Sequence, residues 1–277
     1  MRSGVNRQTP TKMSVWLILV LMLLIYGAAL ALHTYFPQLS GDGLKKKNGT
    51  VVDVGNASQG YIQVQHRASK KRLKLRISHG DQTYTYDLNQ NGQFEVFPLQ
   101  MGSGNYKVKV YEQVKGTKYS SVSSISFDAQ IQDSMLPYLY PNQYVFFTEE
   151  SPLVEQAQTL CAGIESDAEK ARIIESFVAR KFMYDYIKAL TVNSMTTYLP
   201  DLDAVFESKK GICFDFAAMV CAMLRAQGIP TQLIVGVADA KYHAWNQAYI
   251  DGKWMLIDTT ATVTGMPVKR YQPERKY

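Results

Sequence analysis

Two hydrophobic periods divide the chain. From about Thr50 to Ile131 the period is two: Leu73, Leu75 and Ile77 alternate with Lys74, Arg76 and Ser78, and Tyr106, Val108 and Val110 alternate with Lys107 and Lys109. Such alternation gives each segment one apolar and one solvated face, as half-buried strands require. Asn89-Gln90-Asn91-Gly92 and Lys115-Gly116-Thr117 supply turns between the runs. Residues 50–131 are therefore predicted to form a small antiparallel β-sandwich.

From Ser151 onward the period is helical. Ser151-Pro152 is a good helix start, with proline at the first helical position, and Val154, Ala157, Leu160 and Cys161 share one face. A second helix is predicted from about Asp167 through Arg180, with Ala171, Ile174, Phe177 and Val178 turned inward. A third begins after Gly211 and runs to about Ala226, where Gly228 caps it and Pro230 follows. It is apolar nearly all round from Phe214 to Leu224, so it should be buried on most sides.

Strands return after this helix. Thr231–Ala238 reads as buried, and Asp251-Gly252 is a two-residue hairpin signal between Tyr242–Ile250 and Lys253–Thr259. If Ile250 pairs with Lys253, Asp258 falls opposite Trp245. His243 then shares the face of Trp245 and is a diagonal neighbour of Asp258, at a Cβ separation of about 7 Å. A slip of one residue in the turn would destroy this arrangement.

The first 37 residues have neither of these patterns. Arg2, Arg7 and Lys12 precede an uncharged stretch from Met13 to Leu32, about the 20 residues that a membrane-spanning helix needs. Ala29-Leu30-Ala31 also fits a signal-peptidase site. Residues 1–37 are thus expected to be a transmembrane anchor or a signal helix, leaving the rest of the chain extracytoplasmic. It would be anchored to the cell membrane, or secreted if cleaved after Ala31. Residues 38–49, rich in Gly, Lys and Asp, read as a tether, and 132–150, with Pro137, Pro141 and several tyrosines, as a linker packed on a domain spanning 151–277.

Charge narrows the partners. The formal net charge is +6, but Arg2, Arg7, Lys12 and Lys45–Lys47 against Asp42 account for nearly all of it. The remainder is close to neutral, which argues against nucleic acid as a partner. The basic run Lys70–Arg76 reads as a solvated strand face, and His66 and His79 as exposed strand and turn residues. No CxxC pair or histidine cluster suggests a metal site.

The candidate chemistry lies in the last third. Of three cysteines, Cys161 falls in an apolar stripe, and Cys213 and Cys221 lie on one helix about 12 Å apart, too far for a disulfide. Cys213 occupies the first turn of the third helix, where unpaired N–H groups and the helix dipole favour a thiolate and could receive an oxyanion. His243 is the single histidine beyond residue 79. Cysteine as nucleophile, histidine as base and Asp258 as the orienting carboxylate form one consistent constellation.

Gly211-Ile212-Cys213-Phe214-Asp215-Phe216-Ala217, Tyr242-His243-Ala244-Trp245 and Trp254-Met255-Leu256-Ile257-Asp258-Thr259-Thr260 resemble, in that order, the core of the transglutaminase-like superfamily. Met223–Pro230, Tyr184-Asp185 and Leu202–Phe206 extend the resemblance, which covers roughly residues 150–262. It implies an α+β fold: a papain-like transglutaminase core of helices and antiparallel sheet, preceded by the small all-β sandwich-like domain. Cys213 would be nucleophile, His243 general base and acid, and Asp258 the orienting acid. Trp245 and Trp254 match family aromatics that pack beside the site, and Tyr184 and Trp245 are candidates for substrate or oxyanion contacts, Tyr184 for completing the oxyanion hole.

The resemblance implies a peptidase, amidase or acyltransferase acting on surface proteins or cell-wall peptides. No cofactor or metal is expected, since no acidic calcium loop is evident. Hydrolysis is expected over cross-linking, because no amine-binding pocket can be read. The alternative is a non-catalytic surface module that uses the same groove for binding.

Overall fold

The computed structural model describes residues 36–192 and 198–277. Two four-stranded antiparallel sheets form the N-terminal half. One has β1 (Leu44–Lys47), β2 (Thr50–Asp53), β3 (Tyr61–His66) and β6 (Glu95–Pro98) in the order β1-β2-β3-β6. The other has β4 (Leu73–His79), β5 (Gln82–Leu88), β7 (Gly104–Lys115) and β8 (Lys118–Ala129) in the order β5-β4-β7-β8. Leu73, Leu75, Ile77, Tyr106, Val108 and Val110 are all buried between the sheets, as the alternation requires.

Residues 38–49 are not a free tether. Leu44–Lys47 pairs antiparallel with Thr50–Asp53 through a two-residue turn at Asn48-Gly49, both with positive φ (48° and 77°). That turn geometry matches strand twist, and Asn-Gly adopts it readily. The three lysines disguise the strand because it lies at a sheet edge facing water. His66 is also not exposed. It is 2% accessible, and its Nδ1 lies 2.8 Å from Oγ1 of Thr50, its cross-strand partner.

The apolar stretch Met13–Leu32, read as an anchor or signal helix, lies outside the described residues. Among the described residues no helix is long and apolar enough to cross a membrane.

The second half is built around one helix. α1 (Pro152–Cys161) and α2 (Asp167–Lys181) pack on α5 (Cys213–Ala226), with α3 (Tyr186–Thr191) and α4 (Leu202–Ser208) between them in sequence. Every residue of α5 is buried, including Asp215 and Arg225. Phe214, Phe216, Met219 and Leu224 are at most 1% accessible, and each such side chain contributes roughly 1.5–3 kcal/mol by leaving water. The Arg225 guanidinium donates to the carbonyls of Thr231, Tyr140 and Tyr277, which ties α5 to the linker and to the sheet.

An antiparallel sheet covers the other face of α5, in the order β13-β12-β11-β14: β11 (Thr231–Ala238), β12 (Lys241–Ile250), β13 (Lys253–Ile257) and β14 (Tyr271–Lys276). Ile250 pairs with Lys253 and Asn246 with Ile257, the register that Asp251-Gly252 predicts. β13 stops at Ile257, short of the expected Thr259, because Asp258 caps the short helix α6 (Thr259–Thr264). β14 lacks any apolar alternation and was not legible as a strand. The linker is part of the core, with the Tyr144 ring centroid 4.2 Å from that of Tyr277 and 6.1 Å from that of Phe214.

Candidate active site

Three separate elements bring Cys213, His243 and Asp258 together. Cys213 opens α5 and is 3% accessible. A two-residue parallel pairing of β9 (Met183–Tyr184) with β10 (Lys210–Gly211) brings Tyr184 beside Cys213 on the wall of one cavity. Gly211 is required here, since a Cβ at that position would stand 2.9 Å from the Asp215 Cβ.

His243 comes from β12 and Asp258 from the position just after β13. His243 Nε2 lies 2.9 Å from Asp258 Oδ2, which leaves Nδ1 to address Cys213, a neighbour on the wall of the same cavity. Asp258 is held on every side: Oδ1 accepts from the Ala261 N–H at 3.0 Å, and Oδ2 also accepts from the Tyr271 hydroxyl at 2.8 Å. The carboxylate thus fixes the imidazole tautomer by the hydrogen bond it accepts.

Electrostatics follow from this geometry. Burial of His243 opposes its protonation, but the Asp258 hydrogen bond and the neighbouring Cys213 outweigh it and push its pKa up to about 9. Burial would raise the Asp258 carboxyl, but the His243 hydrogen bond and charge overcome it and hold it below the ordinary value. Burial, followed by the neighbouring Cys213, pushes the Tyr184 hydroxyl up to about 12, so it is a donor at neutral pH. Cys221 is fully buried and its thiol is pushed up to about 11 by that burial; Cys161 is also buried and raised, so both are packing residues.

Trp245 stands behind the histidine. The two rings stack with centroids 6.1 Å apart, and the indole is 1% accessible, so it braces His243 and does not line the cavity. Trp254, expected beside the site, is elsewhere: it packs against Tyr138 and Tyr249 at 5.5 and 5.2 Å between ring centroids. Alternation puts Trp254 and its partner Tyr249 on His243's own face, but Tyr249 lies six residues along β12, about 20 Å from the histidine.

Sequence reasoning missed four participants. Tyr271 reaches Asp258 from β14. Asp215, fully buried, accepts hydrogen bonds from Lys188 Nζ at 2.8 Å, from the Ile212 N–H at 2.9 Å and from the Tyr198 hydroxyl. It thereby anchors the start of α5 to α3 and to Tyr198. A signal existed for Asp215, since an acid in a wholly apolar helix must find partners. None existed for Lys188, Tyr198 or Tyr271, which no motif or period singles out.

The site opens into a cavity of about 710 Å³ whose lining includes Tyr184, Leu190, Cys213, Tyr242, His243 and Met266. Among the described residues, no group of three or more His, Cys, Asp or Glu side chains could hold a metal ion.

Residues 154–259 match the sequence profile of the transglutaminase-like superfamily. This region is a transglutaminase-like core. The human protein Kyphoscoliosis peptidase is 26% identical over 153 residues, which are 51% of this chain; the chain spans only 22% of that relative's length. Among solved structures, a candidate cysteine protease from Cytophaga hutchinsonii aligns over 76% of this chain and 77% of its own, at 18% identity and a TM-score of 0.40. The periplasmic domain of TgpA from Pseudomonas aeruginosa aligns over 83% and 77%, at 15% identity and a TM-score of 0.37.

Proposed function

We propose that the transglutaminase-like core is a cysteine-nucleophile acyl-transfer enzyme that attacks amide or peptide bonds. The observation that carries this reading is the His243–Asp258 hydrogen bond beside Cys213 on the wall of one cavity. The Cys213 thiolate attacks the carbonyl carbon, and the oxygen takes the negative charge. The backbone N–H groups at the start of α5 and the Tyr184 hydroxyl are the donors placed to receive it. As the tetrahedral species collapses, the C–N bond breaks and His243 gives its proton to the departing amine. A thioester remains on Cys213. Water attacks it, His243 takes the water's proton, and the thiolate leaves.

Hydrolysis is the favoured outcome, in keeping with the peptidase name of the human relative. Residues 1–37 support an extracytoplasmic setting, with the chain held at the membrane by its N-terminal segment. The substrate in that setting is a surface protein or a cell-wall peptide. In the competing reading the groove binds such a polypeptide without turnover.

Site-resolved alkylation of Cys213 across pH, in the 277-residue chain and its His243→Ala variant, decides between them. Rapid labelling at pH 6 that the variant loses is the expected result, since it reports a thiolate–imidazolium pair. Labelling that rises only near pH 8.5, equally in both proteins, would remove the enzyme and leave the binding module.

A further inference from the structure

The cavity beside Cys213 has an unusual mouth. Tyr186 and Leu190 of α3 form one wall, at 60% and 85% accessibility, and Met266, beyond α6, stands in the other at 62%. Tyr242 adds a fourth large apolar surface. A volume of about 710 Å³ lies in the range of ligand-binding clefts.

Charge is nearly absent from this lining. Apart from the imidazolium of His243, its charged residues are Asp239 and Lys241. Asp239 is already engaged, because Oδ2 accepts from the Lys269 N–H at 2.9 Å and Oδ1 from the Arg270 N–H at 3.0 Å. These bonds pin the segment that carries Met266 and Val268. The opposite wall is pinned by Lys188 to Asp215. Lys241 is exposed at the outer edge. The slot is therefore held open from both sides, and what it offers a ligand is apolar surface next to a thiol.

We propose that this cavity is a specificity slot for a bulky, uncharged apolar side chain, leucine, methionine or phenylalanine in kind, adjacent to the acyl group that Cys213 accepts. The proposal rests on Cys213 being the acyl-accepting nucleophile. Differences in apolar fit of one methylene are worth ten- to two-hundredfold in such pockets, so a whole side chain should discriminate by at least about tenfold.

Iodoacetamides carrying benzyl, isobutyl, carboxyethyl or aminoethyl tails test it on the full chain. The second-order rate at Cys213 is followed by mass spectrometry and normalised to each reagent's rate with glutathione. The benzyl and isobutyl reagents should exceed the two charged ones by at least about tenfold. In Leu190→Asp and Met266→Asp the same ratio, read within each variant so that general losses cancel, should fall towards one. A wild-type ratio near one, or a ratio unmoved in both variants, overturns the slot. Unsubstituted iodoacetamide keeps the two ideas apart: if His243→Ala does not slow it at pH 6, the acyl-transfer reading fails, whatever the tails show.

Discussion

The two halves of this molecule use their ionisable groups differently. In the sandwich most charges stay near water and pair there, Lys71 with Glu112 at 2.7 Å and Lys74 with Asp87 at 2.7 Å. Asp53 and His66 are buried there, but neither lines the cavity beside Cys213. In the transglutaminase-like core, Asp215, Arg225, His243 and Asp258 are buried or nearly so, and each is held by several partners. A matched surface charge keeps a strand face soluble. At the cavity wall, the His243–Asp258 pair has shifted protonation, and a shifted pair that meets a cavity separates chemistry from scaffold.

The largest expected effect is in the core. His243→Ala should slow acyl transfer, and Cys213 alkylation at pH 6, by about 10²–10⁴-fold with little change in the circular dichroism spectrum. Asp258→Asn should lower turnover by about 10²-fold and bring the His243 ionisation from about 9 back towards 6.5. Titration of the imidazole by NMR reads that directly, and an unmoved value would show that Asp258 does not govern the histidine.

Asp215→Ala leaves the half-buried Lys188 without its carboxylate and frees the Ile212 N–H. It should destabilise the chain by roughly 3 kcal/mol in chemical unfolding, at the low end for breaking a buried pair. It should also slow alkylation of Cys213, because the start of α5 loses its tie. Unchanged alkylation would confine Asp215 to stability.

Stability should follow pH with a definite sign. The His243 value is raised, so its contribution is fully present below about 6.5 and fades as pH rises through about 9. The Asp258 value is lowered, so its contribution is present above its ordinary 3.8 and fades as pH falls further. Unfolding free energy should therefore plateau between these limits. A continuous decline from pH 4 to 6.5 would contradict the pair. Smallest of all, Lys74→Ala in the sandwich should change stability by less than about 1 kcal/mol. A larger loss would mean that the sandwich charges are more than surface pairing.

Much of the site was legible because its information is local. Asp251-Gly252 pins the β12–β13 register, and from that register alone His243 and Asp258 become neighbours. The chain N-terminal to α5 was harder. Lys45–Lys47 looked like a tether by composition, although Asn48-Gly49 carried the hairpin signal. His66 looked exposed because nothing in its own strand showed that Thr50 would lie opposite it.

By itself the sequence determined the two periods, the buried helix that begins at Cys213, the turn that aligns His243 with Asp258, and the order of the three groups. These depend on contacts between residues a few positions apart, or on a two-residue turn that propagates register along a strand. Only the tertiary structure decided that Tyr271 would secure Asp258, that Lys188 and Tyr198 would converge on Asp215, and that Trp254 would pack on Tyr138 of the linker. It also decided that α3 and the segment around Met266 would face each other across an apolar slot. Those meetings join segments separated by loops and whole elements, and they are set by how the sheet and helices pack around α5. No local period encodes that packing.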